Sequence, residues 1–257
     1  MPRGRVRCYN WLMALRPSTA ARDFVVRRLS TVDVEAVAKA LLAGVEKTTT
    51  ARWEAAVARA EALPGGVRPE KIKALSDSFA RELGAVGAAA GMAAATPLVG
   101  TAATLMAATA ELAWFTARSG DLILTIAALH GRPTPTVDER RAWVLAVLIF
   151  GSTARQGFSK IANQMGANLE DNTKSGLSLA TLRAVNGALS RMIVRKYGTR
   201  RGAIALGTAL PLGVGAIIGG GSNYVAIRKL VKQADAFFAH LPYSSIEVSG
   251  IELAGNL

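Results

Sequence analysis

Apolar positions recur at helical spacing along most of the chain. In "STVDVEAVAKALLAGVEK" (30–47), Val34, Val37, Ala38 and Leu41 share one face. Ser30 or Thr31 can cap this helix, and Asp33 and Glu35 suit the positive end of its dipole. A second helix, "TARWEAAVARAEAL" (50–63), ends at the breaker Pro64-Gly65-Gly66. A third, "RPEKIKALSDSFAREL" (68–83), starts with Pro69 near its first turn and lines up Ile72, Leu75, Phe79 and Leu83. Further helical patterns cover "ELAWFTARSGDLILTIAALHGRP" (111–133), stopping at Gly131 and Pro133, and "VDERRAWVLAVLIFG" (137–151). "LSLATLRAVNGALSRMIVRKYG" (177–198) and "RKLVKQADAFFAHLPY" (228–243) complete the set. Residues 152–176, "STARQGFSKIANQMGANLEDNTKSG", read as a polar, glycine-spaced connection.

Two stretches depart from this amphipathic pattern. Residues 83–110 form 28 consecutive positions without a formal charge, broken by Pro97, and residues 203–227 form another 25, broken by Pro211. Each has the length of a bilayer span. Alanine and glycine insert weakly, however, and the prolines predict two bent hairpins of half-length helices. Gly84, Gly87 and Gly91 fall on one face, and Gly207, Gly215 and Gly219 are spaced for another, as in small-residue seams between helices.

Composition agrees with the pattern. Half the residues are apolar but only 6% aromatic; alanine favours helices, whereas strands favour β-branched and aromatic residues. The fold class expected is all-α: a single helical domain with two glycine/alanine-rich, proline-bent apolar helical hairpins. It is expected over residues 31–243, between a basic arm at 1–30 and a tail at 244–257. The arm carries seven arginines, and its apolar run "CYNWLMAL" is too short for a secretory signal. The single Cys8 excludes an intramolecular disulfide framework.

Charge changes the functional picture. The net charge is +13, with 15 basic and 8 acidic residues in 1–81, and 12 basic and 4 acidic in 132–201. Cations therefore flank the apolar blocks, an arrangement attracted to anionic lipid or nucleic acid. Arg140, Arg141, Arg195, Lys196, Arg200 and Arg201 are the expected anionic-surface residues. Without aromatic interleaving or a recognisable module, nucleic acid is not the expected partner.

Candidate chemistry is sparse. Glu111, Arg118 and Asp121 lie on an otherwise apolar helix, and Asn223 sits in the second block; these are the candidate functional polar groups, with ion pairing expected for Glu111. His130 and His240 read as caps of helix-end carbonyls. "GVGAIIGGGS" (213–222) loosely approaches a dinucleotide loop but follows no strand, and it lacks the lysine of a phosphate loop. No catalytic constellation, metal site or cofactor is expected.

"EKIKALSDSFARELGAVGAAAGMAAATPLVGTAATLMAATAELAWFTARSGDLILTIAALHGR" (70–132), followed by "DERRAWVLAVLIFG" (138–151) and "GVGAIIGGGSNYVAI" (213–227), resembles the EcsC protein family. The likeness spans roughly residues 35–240. Its most specific points are the Pro97/Gly100/Thr101 step, Glu111-Leu112, Arg140-Arg141-Ala142-Trp143 and the region of Asn223. The resemblance implies a membrane link and supplies no catalytic residues. The expected function is thus a membrane-associated, non-enzymatic accessory or scaffold at the cytoplasmic membrane face, in contact with lipid or a membrane protein. The alternatives are a soluble helical module binding a protein partner or a small apolar ligand between its hairpins, and an enzyme built on Glu111.

Overall fold

A computed structural model describes residues 34–94, 101–132, 135–166, 177–197 and 221–241. Eight α-helices and one short 3-10 turn account for these residues, with no strand among them, so the chain is all-α. The helices are α1 (Val34–Ala51), α2 (Trp53–Ala62), α3 (Arg68–Ala94), α4 (Thr101–Leu129), α5 (Val137–Phe150), α6 (Ala154–Gln164), α7 (Leu179–Tyr197) and α8 (Gly221–Ala239). The 3-10 turn, Gly151–Thr153, joins α5 to α6.

The long helix α4 is the axis of the described structure. Leu122, Ile123, Leu124, Ile126 and Ala127 are fully buried. Such a run occupies the whole circumference of a helix, so α4 has protein on every side here. Helices α1, α2, α3, α5 and α8 pack around it. The segment Leu112–Leu129 is long and apolar enough to cross a membrane, yet 72% of it is buried inside the protein. Every described α-helix contributes to one continuous hydrophobic cluster. Within it, Trp143 meets Phe238 edge to face at 5.4 Å, and Phe237 does the same with Phe158 at 6.0 Å.

Local signals set the helix ends. Gly131 takes φ +67° just beyond α4, and Gly151 takes φ +58° after α5, both left-handed and suited to glycine. Thr136 begins α5 with a capping box: its hydroxyl accepts from the Glu139 N–H, and the Glu139 carboxylate accepts from the Thr136 N–H at 2.9 Å. The region expected to be a glycine-spaced connection instead contains α6. Ala154, Phe158 and Ala162 bury one stripe at i, i+4 and i+8, which drives helix formation despite a polar composition. Gly157 belongs to that helix because the Phe150 ring occupies the place of its side chain, 2.4 Å from an added Cβ.

Of the glycines expected to form small-residue seams, Gly207, Gly215 and Gly219 lie outside the described residues. Gly84 faces open space, while Gly87 and Gly91 have side-chain positions outside the described residues. The close approach is between α1 and α4. A Cβ on Gly44 would stand 2.5 Å from the Ala113 carbonyl oxygen, and one on Gly120 would stand 2.8 Å from the Thr48 methyl. Thr48 uses the proximity: its hydroxyl lies 2.8 Å from the Ala117 carbonyl oxygen across the seam and 3.2 Å from that of Gly44 on its own helix. The bends expected at Pro97 and Pro211 lie outside the described residues.

Gly44 and Gly84 give opposite predictions for one chemical change. Gly44→Ala drives a methyl group into backbone that cannot rotate away, and overpacking of this kind costs about 1–3 kcal/mol. Gly84→Ala meets nothing and gains helix propensity of up to about 1 kcal/mol. Urea unfolding followed by circular dichroism should show the first midpoint falling and the second holding or rising.

Candidate functional site

Arg118 and Asp121, the two charged groups described on α4, face each other one turn apart, with Arg118 Nη1 2.7 Å from Asp121 Oδ2. Asp121 is 2% exposed, and an ionised carboxylate so deep is tolerated only when paired and hydrogen-bonded. A second cation reaches the same oxygen: Arg52, the single residue between α1 and α2, places Nη1 2.8 Å from Oδ2. Arg118 also donates through Nη2 to Glu82 on α3. Burial lowers the proton affinity of the Arg118 guanidinium, but its hydrogen bonds and attraction to Glu82 and Asp121 outweigh this and raise its pKa above the ordinary value.

Arg59, two turns along α2 from Arg52, completes the cluster. Its Nη1 donates to Thr125 Oγ1 at 3.3 Å, and Thr125 in turn donates to the Asp121 backbone carbonyl at 2.7 Å. The Phe79 ring lies beneath both Arg59 and Arg118, at 5.6 and 4.7 Å from the guanidinium carbons to the ring centroid. Burial lowers the Arg59 pKa, and the neighbouring Arg118 and Arg52 charges add to that, against the opposing pull of Asp121 and Glu82. Three guanidinium groups thus surround two carboxylates.

A second polar centre ties the end of α4 to α8. Among the described residues the His130 side chain pairs with a carboxylate and not, as expected, with helix-end carbonyls. Its Nε2 lies 2.8 Å from Asp235 Oδ1 on α8. The capping falls to buried Arg132, whose Nη2 donates at 2.6 Å to the carbonyls of both Phe238 and Leu241. His240 behaves as expected, with Nδ1 3.0 Å from the Ala236 carbonyl oxygen. Desolvation lowers the His130 pKa below the ordinary histidine value; Asp235 partly offsets this, while Arg68 and Arg132 reinforce it.

Glu111 and Asn223 lie on α4 and α8, with side chains outside the described residues, as are Arg200 and Arg201 entirely. Arg140, expected on a lipid-facing surface, is only 7% exposed, and desolvation lowers its pKa. It sits on the inner side of α5, where Glu54 and Glu139 provide its balancing charge. Arg141 is engaged too, with Nη1 2.8 Å from Glu46 Oε2. Lys196 donates to the Ile149 carbonyl. Arg195 is exposed, as expected of a surface cation.

Sequence reasoning missed two sets of groups. Arg52, Arg59 and Glu82 belong to the Asp121 cluster; the i, i+7 spacing of the two arginines was the available signal. Arg155, Lys160, Arg191, Lys229 and Lys232 are exposed cations like Arg195, each on an amphipathic helix with a buried opposite face. Comparison of the chain with known protein families, curated proteins and solved structures returns no match. The likeness to the EcsC family therefore rests on the motifs quoted above.

Asp121→Asn keeps the shape and removes the charge that Arg52 and Arg118 share, so stability should fall by about 3–5 kcal/mol. Arg141→Ala, which breaks the more exposed pair with Glu46, should cost less than about 1 kcal/mol. Denaturant unfolding of the two variants checks the contrast. The His130 prediction concerns pH. Because its folded pKa is depressed, the unfolded chain binds the proton more readily. The neutral imidazole therefore contributes its full stability above about pH 6.5 and loses it as pH falls further, through the folded value. Thermal unfolding from about pH 7 to 5 should show a decline that His130→Gln makes shallower.

Proposed function

We propose that this is a non-enzymatic, membrane-associated protein that seats the cationic side formed by α6, α7 and α8 on an anionic membrane face. One observation carries the reading. Helices α6, α7 and α8 hold nine basic residues and one acidic residue, whereas α1, α2 and α3 hold seven of each. Six of the nine (Arg155, Lys160, Arg191, Arg195, Lys229 and Lys232) are exposed with no carboxylate in ion-pairing distance among the described residues. Helix α6 packs against both α7 and α8, so the three basic helices adjoin.

Each cation held near an anionic bilayer contributes about 1 kcal/mol, and salt screens that contribution within a Debye length of about 10 Å at moderate ionic strength. Val194, beside Arg195, and Val225, near Arg228, are exposed apolar groups suited to the headgroup boundary. The likeness of residues 35–240 to the EcsC family points the same way, toward the cytoplasmic membrane face.

Flotation with phosphatidylglycerol-containing vesicles tests this reading. The protein should float with anionic vesicles, less with neutral phosphatidylcholine, and less again in high salt. The triple variant Lys160→Glu, Arg191→Glu, Arg195→Glu should lose roughly tenfold or more of its vesicle affinity. Flotation that ignores lipid charge, or a triple variant that binds as well as the parent, defeats the proposal.

A further inference from the structure

The Asp121 cluster carries more positive charge than its own carboxylates balance. Arg52, Arg59 and Arg118 contribute three cations, and Asp121 and Glu82 contribute two anions. The surplus falls on Arg59, which has no carboxylate in ion-pairing distance among the described residues. Its one described hydrogen-bond acceptor is the neutral Thr125 hydroxyl at 3.3 Å. Its guanidinium also lies over the Phe79 ring. A guanidinium has five N–H donors, so most of those on Arg59 meet no protein acceptor among the described residues.

The site is also reachable. Arg59 is half-buried, and the Arg52 side chain keeps 36% of its surface exposed. Arg52 commits Nη1 to Asp121 and leaves its remaining donors for another acceptor. Arg52 and Arg59 stand two helical turns apart, and the groups they bind, Asp121 and Thr125, stand one turn apart on α4. Two guanidinium groups thus converge toward one stretch of α4 with spare donors, in surroundings dry enough to lower the Arg59 pKa. Paired forks of this kind match the oxygen geometry of a phosphate group.

We infer that Arg52 and Arg59 form a binding site for a phosphate-bearing anion. The anion accepts hydrogen bonds from both guanidinium groups and neutralises the surplus charge, while Asp121 and Thr125 hold the two arginines in place. Its charge and tetrahedral oxygens set the selectivity, so chloride is a poor substitute. The site lies where the α1–α2 junction and α2 meet α4, apart from the exposed cations of α6, α7 and α8, so it stands or falls separately from the membrane-docking reading.

The experiment is thermal unfolding of the purified full chain, followed by circular dichroism. Sodium phosphate is titrated against sodium chloride at matched ionic strength, with glycerol phosphate and phosphatidylglycerol vesicles as parallel arms. Phosphate should raise the midpoint saturably, by about 3–5 °C at ten times its dissociation constant. Arg59→Gln should abolish the rise, Arg59→Lys should keep a weaker one, and Arg191→Gln should leave it intact. A response to the soluble phosphates identifies a free anion as the occupant, and an Arg59-dependent response to vesicles alone identifies a lipid headgroup. The inference is overturned when Arg59→Gln and Arg59→Lys, both helical at low temperature, respond like the parent, or when no arm raises the midpoint.

Discussion

The carboxylate of Asp121, 2% exposed on α4, is the constraint on which the surrounding arrangement depends. Left unpaired it would cost several kcal/mol, so the fold must bring cations to it. One, Arg118, comes from the preceding turn of α4 itself. The other, Arg52, comes from the break between α1 and α2 and reaches Asp121 only when α1 lies in one register along α4. That same register sets Gly44 against Ala113 and Thr48 against Gly120. Sliding α1 by one turn, about 5.4 Å, would separate the ion pair and drive Cβ atoms into backbone at once. The electrostatic and steric requirements therefore specify the same helix pairing, and agreement of this kind is what singles out one packing among many.

Positive charge is used in two ways in this chain. On the side of α1, α2 and α3, basic and acidic residues are equal in number, and arginines are drawn inward to Asp121 and Glu82. On the side of α6, α7 and α8, acids are nearly absent and cations remain at the surface. Arg140 shows why sequence position alone cannot sort the two. It precedes Arg141 in a run of charged residues, yet the helical turn carries it inside while Arg141 stays at the rim with Glu46. Neighbouring residues on a helix point about 100° apart, so a basic run is never wholly one surface.

Much of the fold was legible because its signals are local. Helix periodicity, the stop at Gly131, the acidic first turn of α5 and the buried stripe of Leu75, Phe79 and Leu83 all lie within a few turns of sequence. Arg118 and Asp121 stood out for a similar reason, as charges in an apolar helix. Their partners did not: Arg52 lies 69 residues from Asp121, Glu82 lies 36 from Arg118, and Asp235 lies 105 from His130. Nothing in the local pattern encodes which turns of two helices meet. Arg132 went unread for the same reason, since the carbonyls it binds, Phe238 and Leu241, lie at the end of α8 more than a hundred residues away. Helix α6 was obscured by composition, because Gly157 looks like a breaker until the Phe150 ring is placed against it.

The length and apolarity of α4 raise the membrane question in its sharpest form. A spanning helix needs a face for lipid, and one that lies in the bilayer surface needs an apolar side left uncovered. The second half of α4 has neither among the described residues, since Leu122 to Ala127 are closed off by α1, α2, α5 and α8 or by their partners in the core. It also carries an arginine and an aspartate that pair with each other, with Arg52 and with Glu82 of α3. Its hydropathy is that of an interior. Among the side chains described, exposed cations outnumber exposed large apolar groups such as Val194 and Val225, so any attraction of theirs to a bilayer rests on charge. Attraction of that kind is electrostatic, depends on the charge of the lipid and weakens as salt is raised, which distinguishes it from insertion driven by apolar burial.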